Sequence, residues 1–277
     1  MDIAAVESIV EAILRADACG EPIGPAGLTL LLRRYAATGR TDIRDALERG
    51  LPAALDARPP ATDAAAADWL TVLCDAMAVA DDERIAGAVS ERAAALRAAW
   101  PSQGSVACAL RGVGACLAAA QVLEQDARDL LPAAVDELER IVCRVYQPGE
   151  ALARSLARSD EPDGGPIEHV AAASALLVAY GATGRLPYAM LAEEIAQPAV
   201  GLDADDFTLR CDAARLFLRL ALLHDDESYR SSAVIARDRN YRGEARRLLE
   251  LLTPLGASRG AAAAIYGVAL DEFLAPS

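Results

Sequence analysis

Acidic and polar residues recur where helices are predicted to begin. Asp63, Asp68 and Trp69 open one such segment, and Ser102 and Ser105 precede another. Glu168 and His169 open a third, Asp205, Asp206 and Arg210 a fourth, and Ser258 and Arg259 a fifth. Paired carboxylates acting as acid and base carry out glycosidic chemistry. An imidazole moves protons near neutral pH, and Trp and Arg hold sugar rings and anionic groups. The same residue types also cap helices, because Asp and Ser side chains accept the free N–H groups of a first turn. Spacing alone leaves both readings open. The residues with the strongest claim on a ligand are Asp68, Trp69, Glu168, His169, Asp206 and Arg210. They are distant in sequence and meet only if their helices converge at one end, where helix N-termini add partial positive charge.

Other chemistries are excluded by what the chain lacks. All 27 basic residues are Arg, so there is no Schiff-base lysine, lysine base or phosphate-loop lysine. A formal net charge of −14 argues against nucleic acid as a partner. Cysteines at 19, 74, 108, 116, 143 and 211 include no CxxC pair, and the two histidines, His169 and His224, are far apart. No cofactor, no metal and no thiol–disulfide exchange are therefore expected. Cys74, Cys116 and Cys211 fall in apolar runs and are predicted to pack as small hydrophobes. Scattered cysteines, an acidic rather than basic start and no apolar run of about 18 residues lead to the expectation of a cytoplasmic protein without a membrane span.

The elements that must position these residues are helices. Hydrophobic residues make up 53% of the chain and aromatics only 4%, with Ala abundant and no alternating stretch of the kind strands need. The segment LLRRYAATGR at 31–40 returns as LLVAYGATGR at 176–185. Each reads as a helix end, a Thr-Gly-Arg turn and a new helix, with Gly39 and Gly184 at the stop. Thr41 and Asp42 are placed to cap the helix after the first turn. Looser copies turn at Asp81-Asp82, Gln125-Asp126 and Asp225-Asp226. A returning apolar residue follows the turn in four copies: Ile43, Ile85, Tyr188 and Tyr229. A period of roughly forty residues means stacked helical hairpins.

Twelve helices are predicted, near 3–16, 25–37, 42–56, 63–79, 82–99, 103–122, 127–146, 167–181, 187–197, 204–223, 227–251 and 258–274. Alternate segments are apolar all round, as buried inner helices must be, and their partners are amphipathic. That alternation predicts an all-α fold, an α/α toroid of about six helical hairpins in one domain over 1–277. The segment 147–166, rich in Pro and Gly, interrupts the period just before Glu168 and His169 and is placed to cover the rim as a lid. His224 falls at the opposite end of its helix from His169, so the two cannot act as a facing pair.

Three stretches carry a family resemblance: PAGLTLLLRRYAATGR at 25–40, IEHVAAASALLVAYGATGR at 167–185, and ARLFLRLALLHDDESYR at 214–230 with LDEFLAP near the end. They resemble the helical C-terminal region of thioredoxin-domain-containing proteins related to spermatogenesis-associated protein 20, which looks like the toroid of N-acylglucosamine 2-epimerases. The family's thioredoxin domain has no counterpart in these residues. Its histidine- and phenylalanine-rich motif has none in TDAAAADWLTVL at 62–73. Two functions stay open. One is a non-catalytic binding or interaction module. The other is a carbohydrate-active enzyme, epimerase or glycosidase-like, working on a sugar-like ligand with carboxylates at the mouth. The Arg-rich segment Arg230, Arg237, Arg239, Arg242, Arg246 and Arg247 either docks another, acidic protein or is a solvated face paired with Asp238, Glu244 and Glu250.

Overall fold

A computed structural model describes residues 1–80, 82–123, 127–203 and 205–275. Helices account for nearly all the regular structure there. In chain order they are α1 (Ile3–Ala18), α2 (Pro25–Thr38), α3 (Thr41–Asp56), α4 (Ala64–Met77), α5 (Glu83–Ala99), α6 (Val106–Val122) and α7 (Ala127–Val145). They continue as α8 (Pro166–Thr183), α9 (Leu186–Ala196), α10 (Phe207–Asp225), α11 (Glu227–Ser232), α12 (Tyr241–Arg259) and α13 (Ala264–Leu274).

Six of these helices form an inner ring. α2 packs on α4, α4 on α6, α6 on α8, α8 on α10 and α10 on α13. α13 then packs back on α2, which closes the ring. An outer helix lies against each inner one: α3 on α2, α5 on α4, α7 on α6, α9 on α8, α12 on α10, and α1 on α13. Short turns between partners make neighbours antiparallel, so the inner helices run in parallel and their N-termini share one mouth.

Local sequence explains the turns. Gly39 and Gly184 adopt φ of 64° and 67°, and their N–H groups bond to Tyr35 O and Tyr180 O at 2.8 and 2.7 Å. The returning residues Ile43, Ile85, Tyr188 and Tyr229 are all buried, so each turn is followed by an anchor in the core. Arg92 closes α3 from outside: its guanidinium donates to the carbonyls of Ala54, Leu55 and Ala57. At the closing contact Gly267 has no side chain for a physical reason. A Cβ there would stand 2.6 Å from Leu30 Cδ2.

The turn conformation makes a prediction. Gly184→Ala is expected to lower stability by about 1–2 kcal/mol, the cost of a left-handed L-residue. Gly87→Ala, at an exposed position inside α5 with open space around it, is expected to raise stability by about 0.5–1 kcal/mol. Denaturant midpoints of the two variants should move in opposite directions; equal shifts would remove the left-handed cap from the account.

Several expectations are corrected. The predicted helix 227–251 is two helices, α11 and α12, separated by 233–240, because Asn240 caps a fresh start by accepting from Gly243 N. Ser258 and Arg259 end outer helix α12 and do not begin the sixth inner helix. Ser102 lies in a 3-10 turn, and α6 starts after Ser105. Thr41 is inside α3; Arg40 holds the cap position and pairs with Asp42 at 2.6 Å. The inner helices are not apolar all round, since several carry one polar stripe. Asp81, Gln125 and Asp126 lie outside the described residues.

Candidate functional site in the ring lumen

The polar stripe is clearest on α10. Leu209, Cys211, Ala213, Ala214, Leu216, Phe217, Leu218 and Leu220 are buried, while Thr208, Asp212, Arg215 and Arg219 are not. Steps of four, three and four residues put those polar side chains on one face of a helix. α4 does the same with Asp68, Thr71 and Asp75, α6 with Cys108, Arg111 and Gln121, and α2 with Thr29 and Arg33. The stripes face the ring's interior, because Arg111 of α6 pairs with Asp212 of α10 past the intervening α8.

Arg111 joins two carboxylates. It contacts Asp212 closely and lies 3.9 Å from Asp68 Oδ1. α4 and α10 stand three places apart in a six-membered ring, so these acids come from opposite walls. Elsewhere in the lumen Arg215 makes a two-pronged bond to Glu272 at 2.9 and 3.0 Å. Arg33 donates to Asp271 at 2.8 Å, and Thr29 Oγ1 donates to Asp75 at 3.4 Å.

Burial pushes the Asp68, Asp75 and Asp212 carboxyls above the usual range. Arg111 pulls against this at Asp68, and Arg111, Arg215 and Arg219 pull against it at Asp212. Asp68 nevertheless keeps 50% of its side-chain surface open. A carboxyl that is both open and desolvated stands in a recess walled by protein. Among the described residues it has no hydrogen bond to hold it ionised, whereas Asp212 has Arg111.

Comparison with known proteins bears on the architecture. No family model matches the chain, and no curated protein matches it. A solved structure does: a point mutant of an unsaturated glucuronyl hydrolase from Streptococcus agalactiae. It matches with a TM-score of 0.71 over 99% of this chain and 92% of that one, at 10% identity. The fold is an α/α toroid.

The toroid distributes the six candidate residues differently from their grouping in the sequence. Asp68 is in the lumen. Trp69, beside it, is half-buried against the core. Glu168 is buried and accepts from Gly165 N at 2.8 Å, bracing the start of α8. His169 is also buried: Nδ1 donates to Ile195 O at 3.0 Å, and Nε2 accepts from Leu152 N at 3.4 Å. Asp206 is exposed and caps α10 by accepting from Leu209 N at 2.9 Å. Arg210 is 9% exposed, 3.7 Å from both Asp203 and Asp205. The structure thus brings Asp68 together with Arg111 and Asp212 and leaves Glu168, His169, Asp206 and Arg210 at the helix starts. Arg111, Asp212, Arg215 and Arg219 were not singled out from sequence. Their signal was available on α10, where charges interrupt an apolar helix at helical spacing.

The segment before α8 is tied down. Leu152, Ala153 and Leu156 are buried, Val106 N bonds to Arg154 O, and Leu156 N to Gly104 O. A Cβ on Gly164 would collide with the Leu152 carbonyl. These contacts attach the segment to the rim at α6. His169 holds it only while neutral, because a protonated Nε2 cannot accept from Leu152 N. Burial lowers the His169 pKa. Its contribution to stability is therefore complete above the ordinary His value of about 6.5. It is lost as pH falls through the depressed folded value. Protection of the amides in 147–165 against hydrogen exchange, measured relative to the intrinsic rate at each pH, should fall on acidification in the wild type. In His169→Gln it should lose that pH dependence; an unchanged acid response would refute the tie.

Cys74, Cys116 and Cys211 are buried, and burial pushes the Cys74 and Cys116 thiols up to about 12. A surface groove of about 590 Å³, lined by Arg97, Trp100, Arg140 and Arg144 among others, lies between α5 and α7, away from the lumen acids. Among the described residues no helix is long and apolar enough to cross a membrane, and no group of three or more His, Cys, Asp or Glu residues is placed to hold a metal.

Proposed function

We propose that this toroid is a carbohydrate-active hydrolase that cleaves a glycosidic bond in its lumen. Asp68 is the proton donor and Asp212 the ionised partner. The observation that carries the reading is the pair itself. Two carboxyls project from opposite walls into a shared hollow, one open and unbonded, the other held by Arg111. Glycosidic hydrolysis needs that asymmetry: one acid keeps its proton, and the other stays charged to activate water or stabilise the oxocarbenium-like transition state. The structural neighbour, named as a glucuronyl hydrolase, supports the reaction class and lends no residue role. Incubation with aryl glycosides and with acidic and neutral oligosaccharides, followed by the appearance of new reducing ends, tests the reading. No turnover across the panel would defeat it.

The second reading is a binding module, favoured by the close Arg111–Asp212 contact, which occupies one of the two carboxylates. It predicts sugar binding without turnover. The resemblance to the thioredoxin-domain-containing family enters here as a likeness of packing segments. A protein partner at the Arg-rich segment would meet chiefly Arg230, Arg237 and Arg239. Arg242 and Arg246 lie 5.1 and 5.7 Å over the Phe273 ring, and Arg247 bonds Glu244.

A further inference from the structure

Arg219 differs from the other lumen guanidiniums. Arg111 is paired with Asp212, Arg215 with Glu272, and Arg33 with Asp271. Arg219 has no hydrogen-bonded or ion-paired partner among the described residues. Asp75, Asp212 and Glu272 act on it through space. Asp212 and Glu272 are already engaged, and burial holds Asp75 toward its neutral form. The side chain is exposed, yet burial lowers its pKa, with Arg215 adding repulsion. Its place on the polar face of α10, two turns after Asp212, and the lumen charges that act on it put it on the lumen side of the ring.

Its position along the helix also matters. Arg219 follows Asp212 by two turns of α10, about 10 Å along the axis. Helical side chains lean toward the N-terminus, so the long arm rises from depth toward the mouth where Asp68 and Asp212 stand. An unpaired cation beside Arg215 in the lumen adds repulsion to the folded state. Such groups cluster where ligands bind.

We propose that Arg219 is the anion anchor of the lumen: it receives the carboxylate, phosphate or sulfate of an acidic sugar and so selects acidic over neutral ligands. The inference rests on the lumen being the sugar site proposed above. A planar guanidinium grips such oxyanions with two parallel hydrogen bonds, and the low polarity of the hollow strengthens them.

Calorimetric titration of the wild type with D-glucuronate, glucose 6-phosphate, glucose 6-sulfate, D-glucose and inorganic phosphate tests this. At least one acidic sugar is expected to bind about tenfold or more tighter than glucose, with Arg219→Met removing that advantage and Arg219→Lys restoring part of it. The melting temperature of Arg219→Met should stay level or rise, since no partner is orphaned. Equal binding of glucose, inorganic phosphate matching the acidic sugars, undiminished binding by Arg219→Met, no binding at all, or a fall of several degrees in its melting temperature would each overturn the proposal. The hydrolase reading is judged separately. Acidic-sugar binding that depends on Arg219 without any turnover keeps the anchor and removes the hydrolase. Turnover of neutral glycosides alone does the reverse.

Discussion

Replacing Asp68 by Asn is expected to reduce glycoside turnover by about 10²- to 10⁴-fold while leaving the protein folded, the size of effect associated with one positioned general acid. The two halves of that expectation have separate causes. Turnover falls because the amide cannot deliver a proton to the leaving oxygen. Stability holds because Asp68 has no hydrogen bond to lose among the described residues and stands 3.9 Å from Arg111, which keeps Asp212. The sign of the pH effect follows from burial, which raises the Asp68 pKa. A raised carboxyl stabilises the fold most when both states are protonated. That contribution declines as pH rises from the unfolded value through the folded one. At neutral pH Asp68→Asn should therefore leave stability level or increase it. Wild-type activity should be present below the raised pKa and decline as pH climbs through it. Asp212→Asn should also abolish turnover, but it strands the Arg111 guanidinium and should lower the melting temperature as well. Wild-type rates in Asp68→Asn would end the assignment of the proton donor.

The largest effect on stability is expected at Glu193. Its side chain is fully buried in α9 and gathers five donors from the next hairpin. Tyr229 Oη donates at 2.6 Å, His224 Nε2 lies at 2.7 Å, Ile235 N donates at 2.8 Å, Ala236 N at 3.1 Å, and Tyr241 Oη at 3.2 Å. Burial alone would raise the Glu193 pKa, but the bonds from Tyr229, Ile235, His224 and Ala236 together hold it below the usual range. Glu193→Ala leaves those donors buried without an acceptor and is expected to cost about 3–5 kcal/mol. Glu193→Gln keeps one acceptor oxygen and should cost less. A lowered carboxyl contributes stability that is complete above the unfolded carboxylate value and is lost as pH falls through the folded one. Acid unfolding should thus be shallower in Glu193→Gln, and hydrogen exchange at 233–240 should rise first in both variants. A loss under about 1 kcal/mol in Glu193→Ala would mean the cluster is not what fixes that segment.

The turns and the lumen differ in how far they were legible in the sequence. The turns were readable because their cause is local. Gly39 and Gly184 stop helices through their own backbone freedom, and Ile43, Ile85, Tyr188 and Tyr229 repeat at a fixed step after each turn. The closed, all-α ring followed from the alternation of apolar and amphipathic helices. The lumen pairs were not readable in the same way. Arg111 and Asp212 come from different hairpins and meet only because the ring curves, which no local pattern encodes. Helix starts misled for a related reason. Glu168 and His169 sit at an inner-helix N-terminus, yet they turn outward into contacts with Gly165, Ile195 and Leu152. A position along a helix can be read from sequence; the direction a side chain takes around it depends on the neighbours.

The contact between α13 and α2 joins segments far apart in sequence: Arg34 and Asp271 are separated by 237 residues. Leu30 touches the backbone at Gly267, and Arg33 and Arg34 both reach Asp271 across the same seam. An open array gains stability one neighbour at a time, as each repeat docks on the previous one. Here the final docking makes two interfaces at once, the ordinary one with α10 and the return to α2. Until α13 has been synthesised, the flank of α2 that it packs on lacks that cover. Closure of that seam is a pairing of high sequence separation, which places it late and slow in folding. It also makes the seam the place where the ring would first come apart.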